Sequence, residues 1–353
     1  MSIKNHQGPS LGISEEIHAM KYRSKGESFR EAMARVADSL KDNEDHYNNF
    51  REILLDQRFL PAGRVQSAMG SPRKVTPYNC FVSMTIEDSM EGIMKAATEA
   101  AKTMQLGGGI GYDFSTLRPH GALIKSLDSR SSGPLSFMGI FDALCKTISS
   151  AGHRRGAQMA VLRVDHPDIL EYIKAKNNST NLTQFNMSVG VTDDFMEAVK
   201  NDTDFDLVFE GRVYSTIRAK ALWDDILRST WDWAEPGILF IDRINRKNNL
   251  HYCEYIAATN PCGEQPLPPN GACLLGSFNL TQYVEKNIDS SFGFNLEKLK
   301  HDIPHVVRAM DNVVDRATYP LPAQQLEAQS KRRMGLGVTG VANALEALGN
   351  PYG

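Results

Sequence analysis

Apolar side chains recur at helical spacing along several stretches of this chain and at alternate positions along others. Residues 27–42, ESFREAMARVADSLKD, repeat apolar positions every three to four residues and predict a helix, with a second over 46–55. A stronger stripe covers 87–105, EDSMEGIMKAATEAAKTMQ, and further helices are predicted over about 134–151, 168–175 and 296–317. VTPYNCFVSMTI reads as a strand with Cys80 at its centre, and another strand is predicted just before residue 168. Residues 192–250 read as helix, hairpin, helix, short strand and helix. TDFDLVFEGRVYS forms the hairpin with Gly211 at its turn, and AKALWDDILRSTWDWA is an amphipathic helix expected to bury its tryptophans. Residues 1–27 are polar and read as an arm or tail.

One stretch departs from these patterns. Residues 256–280, IAATNPCGEQPLPPNGACLLGSFNL, set two β-prone runs around a proline-rich bend. Asn260, Cys262 and Glu264 occupy alternate positions, so in an extended chain an amide, a thiol and a carboxylate face one side. Pro261 and Gly263 between them argue against a helix and for a shaped loop. Cys273 follows on the second run. Such a set suits redox or radical chemistry; equally, it suits a turn carrying two small apolar cysteines.

Composition narrows the class. With 353 residues and 41% hydrophobic content the chain can bury one large core or two smaller ones. Its 39 basic and 42 acidic residues leave a net charge of −3, so no bulk attraction to nucleic acid is implied. Five cysteines without CxxC or zinc-ligand spacing fit a reducing cytoplasm better than a disulfide scaffold. No signal-peptide core and no run of 18 apolar residues is present, so neither secretion nor a membrane span is expected.

NPCGEQPLPPxGAC followed by GSxNL resembles the finger loop and succeeding strand of ribonucleotide reductase catalytic subunits, most closely the adenosylcobalamin-dependent branch. The resemblance implies an α/β fold with a ten-stranded barrel of two five-stranded halves. The first half and the beginning of the second would be present, as residues 59–353 with the finger loop at about 257–272, after an arm and helical region over 1–58. It implies reduction of ribonucleotides, expected as diphosphates, to 2′-deoxyribonucleotides. Cys262 would be the thiyl radical, Glu264 the general base, Asn260 the group that orients the ribose, and Cys80 with Cys273 the dithiol oxidised in each turnover. FLPAGRVQSAMGS resembles a substrate-phosphate segment, where Gly63 and Gly70 allow close backbone approach to an anion. Arg64, Asn79 and Gly109 are the substrate contacts expected from the resemblance. LGGGIGYDF is read as a tight glycine loop with exposed amides; it lacks the βαβ context of a dinucleotide site, so a nicotinamide dehydrogenase is disfavoured.

Effector nucleoside triphosphates are expected to meet Asp88, Arg154, Arg155, Asn178 and Asn181 at a homodimer interface. Asp88 also suits the start of a helix on dipole grounds, Arg154 and Arg155 equally read as a solvated basic turn, and residues 177–186 otherwise read as a surface loop. Cys145 and Cys253 match no catalytic position and are expected to be structural. Subunits of this branch continue well past residue 353. The chain is therefore expected to be the N-terminal half of a split, truncated or interrupted reductase. Its partners would be the missing half, a ribonucleotide substrate, and thioredoxin or glutaredoxin as reductant. The alternatives are a subunit supplied with its radical by a separate metal-carrying protein, and a non-catalytic nucleotide-binding fragment.

Overall fold

The computed structural model describes residues 8–124, 128–148, 156–177, 181–287 and 291–353. The fold is mixed α/β and divides into two compact units, one of residues 80–272 and one of residues 1–79 with 273–353.

The unit of residues 80–272 is built on five parallel strands. In spatial order they are Gly237–Phe240, Phe185–Val191, Gln158–Arg163, Gly109–Asp113 and Cys80–Val82. Parallel neighbours need crossover connections, and helices supply them here: Met90–Gln105, Pro134–Thr147 and Ile169–Lys174 each follow a strand. One sheet face is aromatic. Tyr112 packs edge-on to Phe141 at 4.9 Å between ring centroids and Phe114 packs on Phe141 at 5.4 Å, with Phe185 beside both Tyr112 and Phe114. The Tyr112 hydroxyl donates to Gln158 Oε1 at 2.9 Å, so the one polar tip in this cluster is satisfied.

Several expectations change here. The 87–105 stripe begins as a helix only at Met90, because Ser89 is the cap, its hydroxyl accepting from the Gly92 N–H. Cys80 opens its strand instead of centring it. The glycine run is no exposed loop: Gly107 donates to the Met104 carbonyl and Gly108 to that of Thr103, closing the helix end, and Gly109 starts the next strand. The hairpin Asp204–Phe209 with Arg212–Arg218 turns at Glu210–Gly211 as predicted, both residues at positive φ. The helix Ala219–Trp233 buries Ala219, Leu222, Ile226 and Ser229. Trp231 lies about 200° around the helix from Ser229, off that stripe, and is 85% exposed, and Trp233 at the helix end is exposed as well, so two of the tryptophans expected in the core are surface ones.

The other unit packs helices Phe29–Leu40, Glu44–Leu55 and Leu296–Arg316 through Val36, Leu40, Phe50, Ile53, Val306, Met310 and Val313. Ser28 and Glu31 form a reciprocal capping box that fixes where the first begins. A three-stranded sheet runs Phe59–Pro61, Leu275–Asn279, Gly335–Thr339, the first pair antiparallel and the second parallel. The polar N-terminal stretch contains a helix, Gly12–Tyr22, and the expected glycine-rich phosphate loop contains the short helix Gly63–Ala68. Among the described residues no helix is long and apolar enough to cross a membrane.

Candidate active site

The finger stretch folds as a tight hairpin within the 80–272 unit. Ala258–Thr259 pairs antiparallel with Pro266–Leu267, which leaves residues 260–265 as the turn. Asn260 closes it three ways: its N–H donates to the Gln265 carbonyl at 3.1 Å, its carbonyl accepts from Gly263 at 3.1 Å, and its Oδ1 accepts from the Gln265 N–H at 2.9 Å. Gly263 sits at φ 84°, a conformation that L side chains rarely adopt. The stretch is a shaped loop, as Pro261 and Gly263 predict, but the common facing of the three side chains expected of an extended chain is corrected. The chain curls, Asn260 is fully buried, and Cys262 and Glu264 are exposed on the turn. Among the described residues Asn260 Nδ2 has no hydrogen-bond partner, an unmet donor in a buried position.

The hairpin lies on the sheet face opposite the aromatic cluster. Parallel pairing aligns Val82, Gly111, Met159 and Asn186 in one row across four strands, and Cys80 with Gly109 in the row two residues before it. Small residues in these rows let the hairpin backbone approach: a Cβ on Gly111 would stand 1.8 Å from the Thr259 carbonyl oxygen, and one on Gly109 would stand 2.8 Å from Pro261 Cγ. At the far end of the row Asn186 Nδ2 donates to the Pro261 carbonyl at 2.7 Å. Cys80, Gly109, Asn260, Cys262 and Glu264 thus belong to one surface of one unit. Gly111 and Asn186 belong to it too and were not singled out from the sequence. Asn186, read there as the end of a polar loop, is the second residue of the Phe185–Val191 strand, where polar and apolar side chains mix.

The remaining candidates are placed as follows. Cys273 is buried and lies in the other unit, as do Arg64 on the Gly63–Ala68 helix and Asn79 just before the unit boundary. Asp88 precedes the Ser89 cap and accepts from Arg118, at 2.7 Å from Nε and 3.1 Å from its backbone N–H, so it is tied to Arg118 and leaves capping to Ser89. Asn181 is exposed; Arg154, Arg155 and Asn178 lie outside the described residues. Lys176 binds the Phe185 carbonyl and the Glu235 carboxylate, and the Gln184 N–H donates to Asp142 Oδ1 at 2.9 Å, so both ends of the 177–185 segment are anchored. Cys145 is buried on the Pro134–Thr147 helix; burial, with the Asp142 carboxylate, pushes its thiol up to about 11. Such a thiol stays protonated and unreactive near neutrality, whereas Cys253 is exposed.

Residues 78–353 match the family model described as ribonucleotide reductase, barrel domain. A vitamin B12-dependent ribonucleoside-diphosphate reductase of Thermoplasma acidophilum is 39% identical over 314 residues, 87% of this chain and 40% of the relative. One from Mycobacterium tuberculosis is 38% identical over 339 residues, 92% of this chain and 48% of the relative. The ribonucleoside-diphosphate reductase large subunit of vaccinia virus is 28% identical over 307 residues, 78% of this chain and 39% of the relative. The chain spans about half the length of the curated relatives it matches, or less. The barrel-domain match covers most of the chain and includes the whole hairpin that carries Cys262, and on that ground the chain belongs to the ribonucleotide reductase family.

Proposed function

We propose that this chain carries the ribose-reducing hairpin of a ribonucleoside-diphosphate reductase that uses adenosylcobalamin and makes 2′-deoxyribonucleotides for DNA synthesis. The observation that carries the reading is the hairpin itself, with a buried amide donor left unmet at Asn260 and a thiol and a carboxylate exposed two and four residues on. The B12-dependent names of relatives at 38–39% identity favour this branch.

The 2′-hydroxyl of a ribose is a poor leaving group until the neighbouring carbon carries a radical. Cys262 would take the 3′-hydrogen as a thiyl, a nearly reversible exchange because S–H and ribose C–H bonds are comparable in strength. Glu264 would accept the 3′-hydroxyl proton, and Asn260 would hold the sugar hydroxyls. Cys80 and Cys273 would give two electrons and two protons as they become a disulfide, the 2′-hydroxyl leaving as water and C2′ gaining a hydrogen, while Glu264 returns its proton to the 3′-oxygen. The 3′-hydrogen then returns from Cys262. The exposed Cys262 thiol fits a radical source that must approach from outside the hairpin, and Cys262 is the residue of this chain that would face it. Adenosylcobalamin, when bound, supplies a carbon-centred radical. A barrel of ten strands in the assembled enzyme, a homodimer with nucleoside triphosphate effectors near Asp88 and Asn181, a phosphate site using Arg64 and Asn79, re-reduction by thioredoxin or glutaredoxin, and a cytoplasmic location complete the reading.

The test is CDP reduction with adenosylcobalamin and a dithiol, with and without the product of the adjacent downstream reading frame. Turnover that is abolished by Cys262→Ser supports the reading. Turnover only on adding a metal-radical subunit assigns the chain to the other radical source, and no turnover under any condition refutes the assignment.

A further inference from the structure

The row of Gly111, Met159 and Asn186 supports the hairpin at three points, each by different means. Gly111 gives way, so the Thr259 carbonyl rests on bare backbone. Met159 reaches up with its terminal methyl, which would lie 3.7 Å from a Cβ on Gly263. Asn186 alone of the three makes a directional bond, from Nδ2 to the Pro261 carbonyl at 2.7 Å. Neighbouring strands stand about 4.8 Å apart, so the hairpin tip crosses roughly 10 Å of sheet between the first and last support. The bonded carbonyl belongs to the peptide that joins Pro261 to Cys262. A peptide is planar, so holding its oxygen fixes the orientation of the Cys262 N–H and, through it, the start of the Cys262 side chain. Asn186 is itself held from behind: two residues earlier the Gln184 N–H is bonded to Asp142 on the Pro134–Thr147 helix.

We propose that Asn186 is a positioning residue for the radical thiol, its carboxamide tethering the Pro261–Cys262 peptide so that Cys262 is presented in one orientation. The proposal rests on the function proposed above and adds to it a residue outside the Asn260–Glu264 turn. The donor must be an N–H, because the acceptor is a carbonyl oxygen; a carboxylate of the same shape would oppose that oxygen with charge.

The test compares Asn186→Ala and Asn186→Asp in the assembled reductase. Hydrogen exchange at the Gly263 and Gln265 amides, read without nucleotide or cofactor, is expected to quicken about three- to tenfold in both variants. Turnover is expected to show kcat lower by about ten- to hundredfold with KM for CDP within about twofold, the signature of a misplaced reacting group. The near-isosteric Asp variant is expected to be at least as impaired as the Ala variant. An Asp variant that exchanges and turns over like the wild type would reduce Asn186 to a packing role and overturn the tether, as would a raised KM with unchanged kcat. Because exchange is measured on the protein alone, a wild type that never reduces CDP while its variants still exchange faster refutes the functional reading and leaves the tether standing.

Discussion

Gly111 lies beneath the Thr259 carbonyl so closely that a Cβ added to it would stand 1.8 Å from that oxygen. The contact joins residues 148 positions apart in sequence, and no small shift of a flexible side chain can relieve a clash with backbone. Gly111→Ala is therefore expected to lift the hairpin and to cost about 1–3 kcal/mol, the range for forcing extra volume into a packed contact. Gly139 supplies the control. It lies on the exposed face of the Pro134–Thr147 helix, where an added methyl would meet nothing within 4 Å, so Gly139→Ala should stabilise by about 0.5–1 kcal/mol. Urea midpoints moving in opposite directions for the two variants would confirm that space, and not glycine as such, decides. A neutral Gly111→Ala would mean that the hairpin does not rest on that strand.

Asn260 separates a small structural role from the chemical one. Its Oδ1 holds the Gln265 N–H at 2.9 Å, and Asn260→Ala removes that acceptor. The expected loss of stability is about 0.5–1.5 kcal/mol, one hydrogen bond's worth. Under the function proposed above, turnover is expected to fall by far more than such a loss could explain, because Nδ2, unpartnered among the described residues, would be the group that meets the substrate. Stability and kcat measured on one preparation decide the matter; proportionate small losses in both would confine Asn260 to the turn.

How much of this was legible beforehand depends on the range of the interaction. Helices such as Glu44–Leu55 and Met90–Gln105 announce themselves through an apolar stripe, because their core face repeats within the segment. The finger stretch was legible as a chemical motif, as a shaped loop through Pro261 and Gly263, and through its resemblance to a known family, although which side chains the loop turns inward was not. Alternate spacing suggested three side chains on one side, and the bonds between Asn260 and Gln265 curl the chain so that one of them points inward. Trp231 was misplaced because hydrophobicity was read without its angle around the helix. The support of the hairpin by Gly111 and Asn186 depends on pairings across 148 and 75 positions, and no local pattern encodes which strand will lie under which loop. Burial of an ion pair between Arg58 and Asp302 was equally invisible, since each residue alone reads as surface.

That ion pair makes an asymmetric prediction. Asp302 is fully buried and accepts from Arg58 Nη1 at 2.7 and 2.8 Å and from the Tyr283 hydroxyl at 2.9 Å. Arg58 has further partners in Glu52 at 2.9 Å and Asp56 at 3.4 Å. Arg58→Met takes the cation from a buried carboxylate, leaving it the Tyr283 hydroxyl and the exposed His301 ring at 3.3 Å, and is expected to cost about 3–5 kcal/mol. Asp302→Asn leaves Arg58 its two other carboxylates and should cost less, while Tyr283→Phe should cost about 0.5–1.5 kcal/mol. Equal losses for Arg58→Met and Asp302→Asn in denaturant unfolding would show that Glu52 and Asp56 give Arg58 no compensation.

Asp42 gives the protein a pH-dependent fastening between two helices. It follows the Phe29–Leu40 helix, and its carboxylate accepts from Arg308 and, at 2.8 Å, from Asn312 Nδ2, both on the Leu296–Arg316 helix. Bonding by Arg308 foremost, then by Asn312, holds the Asp42 carboxyl down at about 2. An unfolded aspartate titrates near ~3.9. Above that value the carboxylate is charged in both states and its full stabilisation is present. As pH falls from about 4 towards 2 the unfolded chain takes up the proton first, and the contribution drains away. The Asp42→Asn variant should therefore be less stable than the wild type by a constant margin from pH 5 to 7, and the two should converge as pH approaches 2. Because the group is partly exposed, salt should narrow the margin as well. Urea midpoints of both proteins across that range make the check, and a margin unchanged at pH 2.5 would mean that Arg308 and Asn312 do not hold Asp42 in its charged form.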